Sequence, residues 1–178
     1  MGTRRLTRDQ ARARTREAIL VQARRLFESH GYRGASLDDI AEAAGYSKGA
    51  VYSNWASKEA LFLDLLDREA GDAGSGDSHL ATEATGWALA TLDFFLEAVH
   101  NPETRAALAE RYRQARQGAG TAIAHGRPNP QWASWEELAS VVMALGSGLI
   151  IQSAVDETAI DPTLMQRVME RLLSDTQK

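Results

Sequence analysis

Apolar residues recur along this chain at helical intervals, and no stretch of useful length alternates in the manner of a strand. From Thr15 to His30, Ile19, Ala23, Leu26 and Phe27 fall at i, i+4, i+7 and i+8, the stripe of an amphipathic helix that Gly31 ends. Ser36 is a good N-cap for a second helix, with Asp39 in the capping-box position and Leu37, Ile40, Ala41 and Ala44 as its buried face. Gly45 supplies a left-handed stop. Only Gly45 and Tyr46 precede the next N-cap, Ser47, whose short helix turns Val51 and Trp55 inward. Ser57 caps a fourth helix that buries Leu61, Phe62, Leu65 and Leu66 and runs to about Gly71.

Residues 71–78 (GDAGSGDS) read as a flexible glycine-rich loop and mark a domain boundary. Beyond it, helical stretches are expected over Trp87–His100, Glu103–Gly118 and Trp135–Val155, with residues 118–131, which hold Pro128 and Pro130, mostly loop. A last helix opens with Asp161 as N-cap and Pro162 in its first turn. Leu138 to Val155 carries no charge, which is long enough to raise the question of a membrane span. Ser140, Gly146, Ser147, Gly148, Gln152 and Ser153 dilute it, and its flanks (Glu136, Glu137, Asp156, Glu157) are acidic. The expectation is a helix buried among other helices or in a subunit interface, with no membrane partner.

Composition narrows the class. With 44% hydrophobic and 25% charged residues in 178, the chain is ordinary globular protein, long enough for one large core or two smaller ones. The absence of cysteine removes disulfides, thiolate catalysis and cysteine-based zinc sites. The basic amino terminus lacks the apolar run of a secretory signal, so a cytoplasmic protein is expected.

The net charge of −4 conceals an asymmetry, since residues 1–60 sum to +4 and residues 61–178 to −8. Six arginines and one acid, Asp9, fall in the first 16 residues. Such a field turns the amino-terminal end toward a polyanion.

A helix, a tight glycine turn and a second short helix form a helix-turn-helix, whose second helix lies in the major groove of DNA. With Val51 and Trp55 inward, Ser47, Lys48, Gly49, Tyr52 and Ser53 face out. Lys48 suits a phosphate or a guanine edge, Gly49 lets the backbone come close, and Tyr52 and Ser53 offer hydroxyls. Ser36 and Lys58 stand at helix starts, where free N–H groups favour a phosphate.

Residues 16–62 (REAILVQARRLFESHGYRGASLDDIAEAAGYSKGAVYSNWASKEALF) resemble the amino-terminal domain of the tetracycline-repressor (TetR) family of bacterial regulators. The likeness extends over roughly residues 15–65 through Phe27, Gly31, Tyr32, Ile40, Ala41, Gly45, Ser47, Lys48, Gly49, Tyr52, Lys58 and Glu59. It implies that Tyr52 and Lys58 hold phosphates, that Ser36 anchors the second helix on the backbone, and that Lys48, Gly49 and Ser53 lie nearest the bases. Trp55 stands where the family usually has phenylalanine, and Asn54, a further candidate DNA contact, where histidine is frequent.

The resemblance implies an all-α fold. Residues 1–14 form a basic flexible arm and 15–56 a three-helix helix-turn-helix DNA-binding domain. A fourth helix then links that domain to the helical ligand-binding and dimerisation domain, together 57–178. Because one reading helix contacts few base pairs, a homodimer on double-stranded DNA with an inverted-repeat operator is expected.

The interface candidates are Val142, Gly146 and Leu149, with the stripe Leu164, Val168 and Leu172, flanked by Met165 and Met169. Gly146 and Gly148 would allow close helix approach. The resemblance also implies a pocket for a small apolar or amphipathic ligand, for which Trp87, Phe94, Phe95, Tyr112, Trp132, Trp135 and Met143 are the candidate lining, with His100, His125 and Arg111 as polar partners. By the same resemblance, ligand would favour a spacing or tilt of the reading helices that no longer fits two half-sites, which implies a repressor released by its ligand.

The alternatives are an enzyme or an all-helical interaction protein that retains the amino-terminal fold. His30, His79, His100 and His125 show no metal-ligand spacing, and neither a G-x-S-x-G elbow nor a phosphate loop is present. Glu136 and Glu137 are adjacent and point to different sides of a helix. No catalysis, cofactor or metal is expected.

Overall fold

The computed structural model describes residues 7–73, 84–125, 127–156, 158, 160–161 and 163–175. Among the described residues every regular element is a helix: α1 (Arg8–Gly34), α2 (Leu37–Ala44), α3 (Lys48–Tyr52), α4 (Lys58–Ala73), α5 (Ala84–Ala98), α6 (Pro102–Ala124), α7 (Trp135–Val155) and α8 (Leu164–Asp175). The all-α expectation is met.

Several boundaries differ from the periodicity. α1 starts at Arg8 rather than Thr15, so residues 8–14 are helix and not a flexible arm; residues 1–6 lie outside the described residues. Thr7 Oγ1 accepts from Gln10 N at 3.2 Å while Thr7 N donates to Gln10 Oε1 at 2.9 Å, a reciprocal capping box that starts the helix without any apolar stripe. Gly31 (φ 71°, ψ 171°) breaks the helical path as expected, but one more turn follows it to Gly34. α4 continues to Ala73, past the start of the expected glycine loop, of which residues 74–78 lie outside the described residues.

α6 opens on Asn101, whose Oδ1 accepts from Glu103 N and Thr104 N, with Pro102 in the first turn. It runs through Gly118 to Ala124 and ends on His125, in the left-handed region at φ 45°. His125, expected as a polar ligand partner, is thus a helix terminator. α8 keeps Asp161 as its cap, the carboxylate accepting from Thr163 N at 2.8 Å; Pro162 lies outside the described residues.

Two compact units divide the chain. The first comprises residues 1–78 together with Leu89–Glu97 of α5, and the second residues 79–88 and 98–178. The expected division at 56 and 57 therefore differs from the contacts, because α4 buries Leu61 and Phe62 with the first three helices.

In the first unit Ile19, Leu20, Ala23 and Phe27 of α1 share a core with Ile40, Val51, Leu61 and Phe62. Aromatic rings concentrate at one end of it. Phe62 lies edge-on to Phe27 at 4.9 Å and stacks on Phe94 at 4.5 Å, while Tyr32 lies edge-on to Phe62 and Phe94 at 5.1 and 5.0 Å. Such geometry adds about 0.5–1.5 kcal/mol per pair beyond simple burial. Phe94, expected in a ligand pocket, is 0% exposed in this cluster, because its position on α5 brings it to the rings of α1 and α4.

The second unit is organised by α6 and α7. At the crossing a Cβ on Gly120 would stand 3.0 Å from Trp135 C and Glu136 N, so glycine sets the approach of the two helices. Ser134 and Glu137 form the capping box of α7, and the Ser134 bonds hold the Glu137 carboxyl below the ordinary glutamate range.

Trp135 is buried and donates its indole N–H to Arg127 O and Pro128 O, both at 3.1 Å, beneath the Arg127 guanidinium. It seals the α6–α7 connection rather than lining a cavity. Trp132 is 64% exposed and likewise leaves the expected lining. Gly146, expected at a subunit interface, faces Met165 of its own chain, whose methyl lies 3.6 Å from where a Cβ would be.

Candidate nucleic-acid interface

The local sequence builds α2 and α3 from their ends. Ser36 Oγ accepts from Asp39 N at 3.1 Å and the Asp39 carboxylate accepts from Ser36 N at 3.2 Å, so two otherwise orphan N–H groups are satisfied reciprocally. At the other end Gly45 (φ 72°, ψ 26°) adopts the left-handed conformation, which lets Tyr46 N reach back to Ala41 O at 2.9 Å. The chain then turns at once into Ser47, whose Oγ accepts from Ala50 N at 3.2 Å. Sharp closure by glycine is what places two short helices in a fixed crossing.

α3 is anchored from beneath by Val51 and Trp55, 0% and 4% exposed. The indole Nε1 of Trp55 donates to Asp64 of α4 at 2.7 Å, and Arg16 of α1 pairs with the same carboxylate while its guanidinium lies 5.5 Å from the Trp55 ring. α1 and the segment that follows α3 therefore converge on one carboxylate of α4 beneath the reading helix.

On the outer side Ser36, Ser47, Lys48, Gly49, Tyr52 and Ser53 are all exposed, as their spacing requires. Lys48 Nζ is ion-paired with Asp38 of α2, which holds its pKa above the ordinary lysine value. Sequence reasoning left Asp38 unassigned, because a carboxylate has no attraction for phosphate.

Ser53 and Asn54 both turn donors to Ala50 O, at 2.9 and 2.8 Å, so in the free protein these groups close α3 rather than point outward. Beside Asn54 an open cleft of about 320 Å³ is lined by Asp9, Arg12, Ala13 and Arg16 of α1. The amino-terminal turns of α1 thus bring arginine up to the end of the reading helix.

Lys58 departs most from expectation. Its ammonium donates to Tyr32 O at 2.9 Å and Ala35 O at 3.0 Å and lies 4.4 Å from the Tyr32 ring centroid. It closes the carboxyl end of α1, where a cation meets unpaired carbonyls. The Tyr32 hydroxyl donates to Glu59 at 3.1 Å, and burial together with that carboxylate raises its pKa well above the ordinary tyrosine range.

Among the described residues no group of three or more His, Asp or Glu side chains could hold a metal ion. What the first unit offers is a rigid pair of helices with a polar, partly basic outer face.

Residues 19–65 match the family described as bacterial regulatory proteins, tetR family, and residues 78–178 match the carboxyl-terminal domain of the BetI-type transcriptional repressors. The chain belongs to the TetR family. It is a TetR-family transcriptional regulator, built as an amino-terminal helix-turn-helix domain followed by a helical carboxyl-terminal domain.

The HTH-type transcriptional repressor AcnR of Corynebacterium efficiens is 45% identical over 56 residues, which are 32% of this chain and 30% of that repressor. The likeness thus spans less than a third of its length. Among solved structures, a TetR-family regulator from Rhodococcus sp. matches with a TM-score of 0.73 at 20% identity, covering 93% of this chain and all of that one. A transcriptional regulator from Saccharomonospora viridis, solved in complex with choline, matches with a TM-score of 0.65 at 21% identity over 91% of this chain and 96% of its own. At such identities the TetR fold is what is shared.

Proposed function

We propose that the protein is a cytoplasmic, homodimeric repressor that binds an inverted-repeat operator and leaves it when a small molecule binds its carboxyl-terminal domain. The observation that carries the DNA half is the capped α2–glycine–α3 unit, which presents Ser36, Ser47, Lys48, Gly49 and Tyr52 on one exposed face. Lys48 and Gly49 would lie nearest the bases, with Ser36 and Tyr52 on phosphates. Ser53 and Asn54 would join only by exchanging their bonds to Ala50 O, and Lys58 would contribute its backbone N–H at the start of α4 rather than its ammonium.

The dimer half is supported by α7. It is, among the described residues, the one helix long and apolar enough to cross a membrane by length and composition, yet within one chain it is largely uncovered. Val142 and Leu149 are half-buried, as are Leu164 and Val168 of α8, and Gly148 has open space where a Cβ would stand. Apolar surface of this extent is stabilised by burial at about 25 cal/mol per Å², and a second copy would supply that cover. The side chain of Leu172 lies outside the described residues.

For the ligand, Trp87, Tyr112 and Met143 of the second unit keep their candidacy. A small-molecule site in this fold is supported by the choline-bound neighbour.

The test is a gel-shift titration of the full chain on DNA at several salt concentrations, joined to sedimentation analysis. Selective, steeply salt-dependent binding of one palindrome by a dimer is expected. Equal affinity for all duplexes, or binding as a monomer, overturns the reading. Compounds that raise the melting temperature should then lower operator affinity; a saturating binder that leaves it unchanged counts against ligand release.

A further inference from the structure

Asp38 is an unexpected residue to find on a face that meets a polyanion. It occupies the first turn of α2, is exposed, and has Lys48 of α3 as its partner at 2.5 Å. Its neighbour Asp39 is different, since that carboxylate is occupied by Ser36 N and Ser36 Oγ at 3.2 and 2.6 Å in the capping box. A carboxylate in the first turn complements the dipole of α2, yet near phosphates its charge opposes binding.

The two side chains are 48% and 65% exposed, so neither is held by burial and both remain open to a partner from outside. The pair has two kinds of unused capacity. A lysine ammonium has three donors and no acceptor, and Asp38 occupies one of them through Oδ2. A carboxylate accepts only, and Asp38 Oδ1 has no partner among the described residues. Side by side at the start of the reading helix stand a free donor set and a free acceptor.

In the major groove a G·C pair offers the complementary set, because guanine presents two adjacent acceptors (O6 and N7) and cytosine an N4 amino donor next to them. Lysine suits the guanine edge and aspartate accepts from the cytosine amino group.

We propose that Asp38 and Lys48 together read one G·C base pair in each operator half-site, Lys48 donating to guanine and Asp38 accepting from cytosine. This inference rests on the DNA-binding reading above. It gives Asp38 two effects of opposite sign. The carboxylate weakens attachment to DNA in general by repelling phosphates, and it strengthens attachment to one base pair. The outcome is selectivity at the expense of indiscriminate affinity.

The test selects sites from a random duplex pool with the full-length wild type, Asp38→Ala and Lys48→Ala, then measures affinities for the selected operator and its single-position variants. Both residues are exposed, so the variants should fold, and matched melting curves check this. The expected result is an inverted repeat in which one G·C position per half-site loses about tenfold or more of its discrimination in both variants. All other positions should keep their preferences, and Asp38→Ala should bind unrelated DNA more tightly than wild type.

A uniform gain in affinity with every preference intact would show Asp38 to be a repulsive charge alone and overturn the proposal. Relaxation at different positions in the two variants, or at an A·T position, also overturns it. Failure of the wild type to select any site instead removes the DNA-binding reading itself, and this inference with it.

Discussion

The Trp55 indole Nε1 donates a 2.7 Å hydrogen bond to the Asp64 carboxylate, tying the residue that plugs the base of α3 to the middle of α4. A phenylalanine, the usual occupant in the family, would fill most of that space without the donor. Trp55→Phe should therefore lower stability by at least about 1 kcal/mol, the net worth of such a bond, with a further loss for the space left empty. Asp64→Ala should lower it further, because it leaves Trp55 Nε1 without its acceptor and Arg16 without its ion pair. Denaturant titrations of the two variants check the order, and equal losses would contradict the shared-acceptor account.

Lys48 and Lys58, although both basic and both near the expected DNA face, should behave differently. Lys58→Met removes an ammonium that closes the end of α1 on Tyr32 O and Ala35 O, so a stability loss of about 1–3 kcal/mol is expected, with little change in the salt dependence of DNA binding. Lys48→Ala should leave the melting temperature near wild type and weaken operator binding. Plots of log affinity against log salt for both variants separate the roles; a shallower slope in Lys58→Met would place its ammonium on a phosphate after all.

Two glycines of α6 give opposite expectations. Gly120→Ala drives a methyl to 3.0 Å from the backbone of Trp135 and Glu136, and overpacking of this kind typically costs about 1–3 kcal/mol. Gly118→Ala meets nothing within 4 Å and should stabilise the helix by up to about 1 kcal/mol. Thermal melts of the paired variants test both, and an unchanged midpoint for Gly120→Ala would mean that the α6–α7 crossing can open without penalty.

Asp161 gives the chain an acid-sensitive helix start. Hydrogen bonds from Arg167 and from Thr163 hold its pKa down to about 2, from an ordinary 3.8. A depressed carboxyl contributes stability that is present above the ordinary value and lost as pH falls toward the folded one. The cap of α8 should therefore weaken between about pH 4 and pH 2, while Asp161→Asn should abolish that dependence. Amide exchange of α8 followed against pH measures it.

How much of this was legible in the sequence varies with the kind of signal. Ser36, Asp39, Gly45 and Ser47 are short-range devices whose partners lie within a few residues, and the structure uses each as its position suggests. The start of α1 was hidden because Thr7 and Gln10 cap a turn with no apolar face, so periodicity alone placed the boundary seven residues late.

Long-range destinations were harder. Phe94, Trp132 and Trp135 look alike as aromatic candidates, but one joins the first unit's core, one stays exposed and one seals a loop, each decided by a partner distant in sequence or by none. The bonds of the Lys58 ammonium escape local pattern for the same reason, since the carbonyls that receive it lie 26 and 23 residues earlier. Asp38 carried no signal at all until its neighbour across the turn was known.

The ring contributed by Phe94 has a consequence for anyone who would graft this reading head onto another sensor. A fusion that ends at residue 56, or at 78, leaves behind the segment Leu89–Glu97, and with it the ring stacked on Phe62 and the carboxylate of Asp93 that accepts from Arg33 N. The transplantable part is therefore a discontinuous one. A chimera that omits the α5 segment would expose the oily flank of Phe62 and Tyr32 to water, and its failure would be one of solubility, well before any question of which operator it prefers.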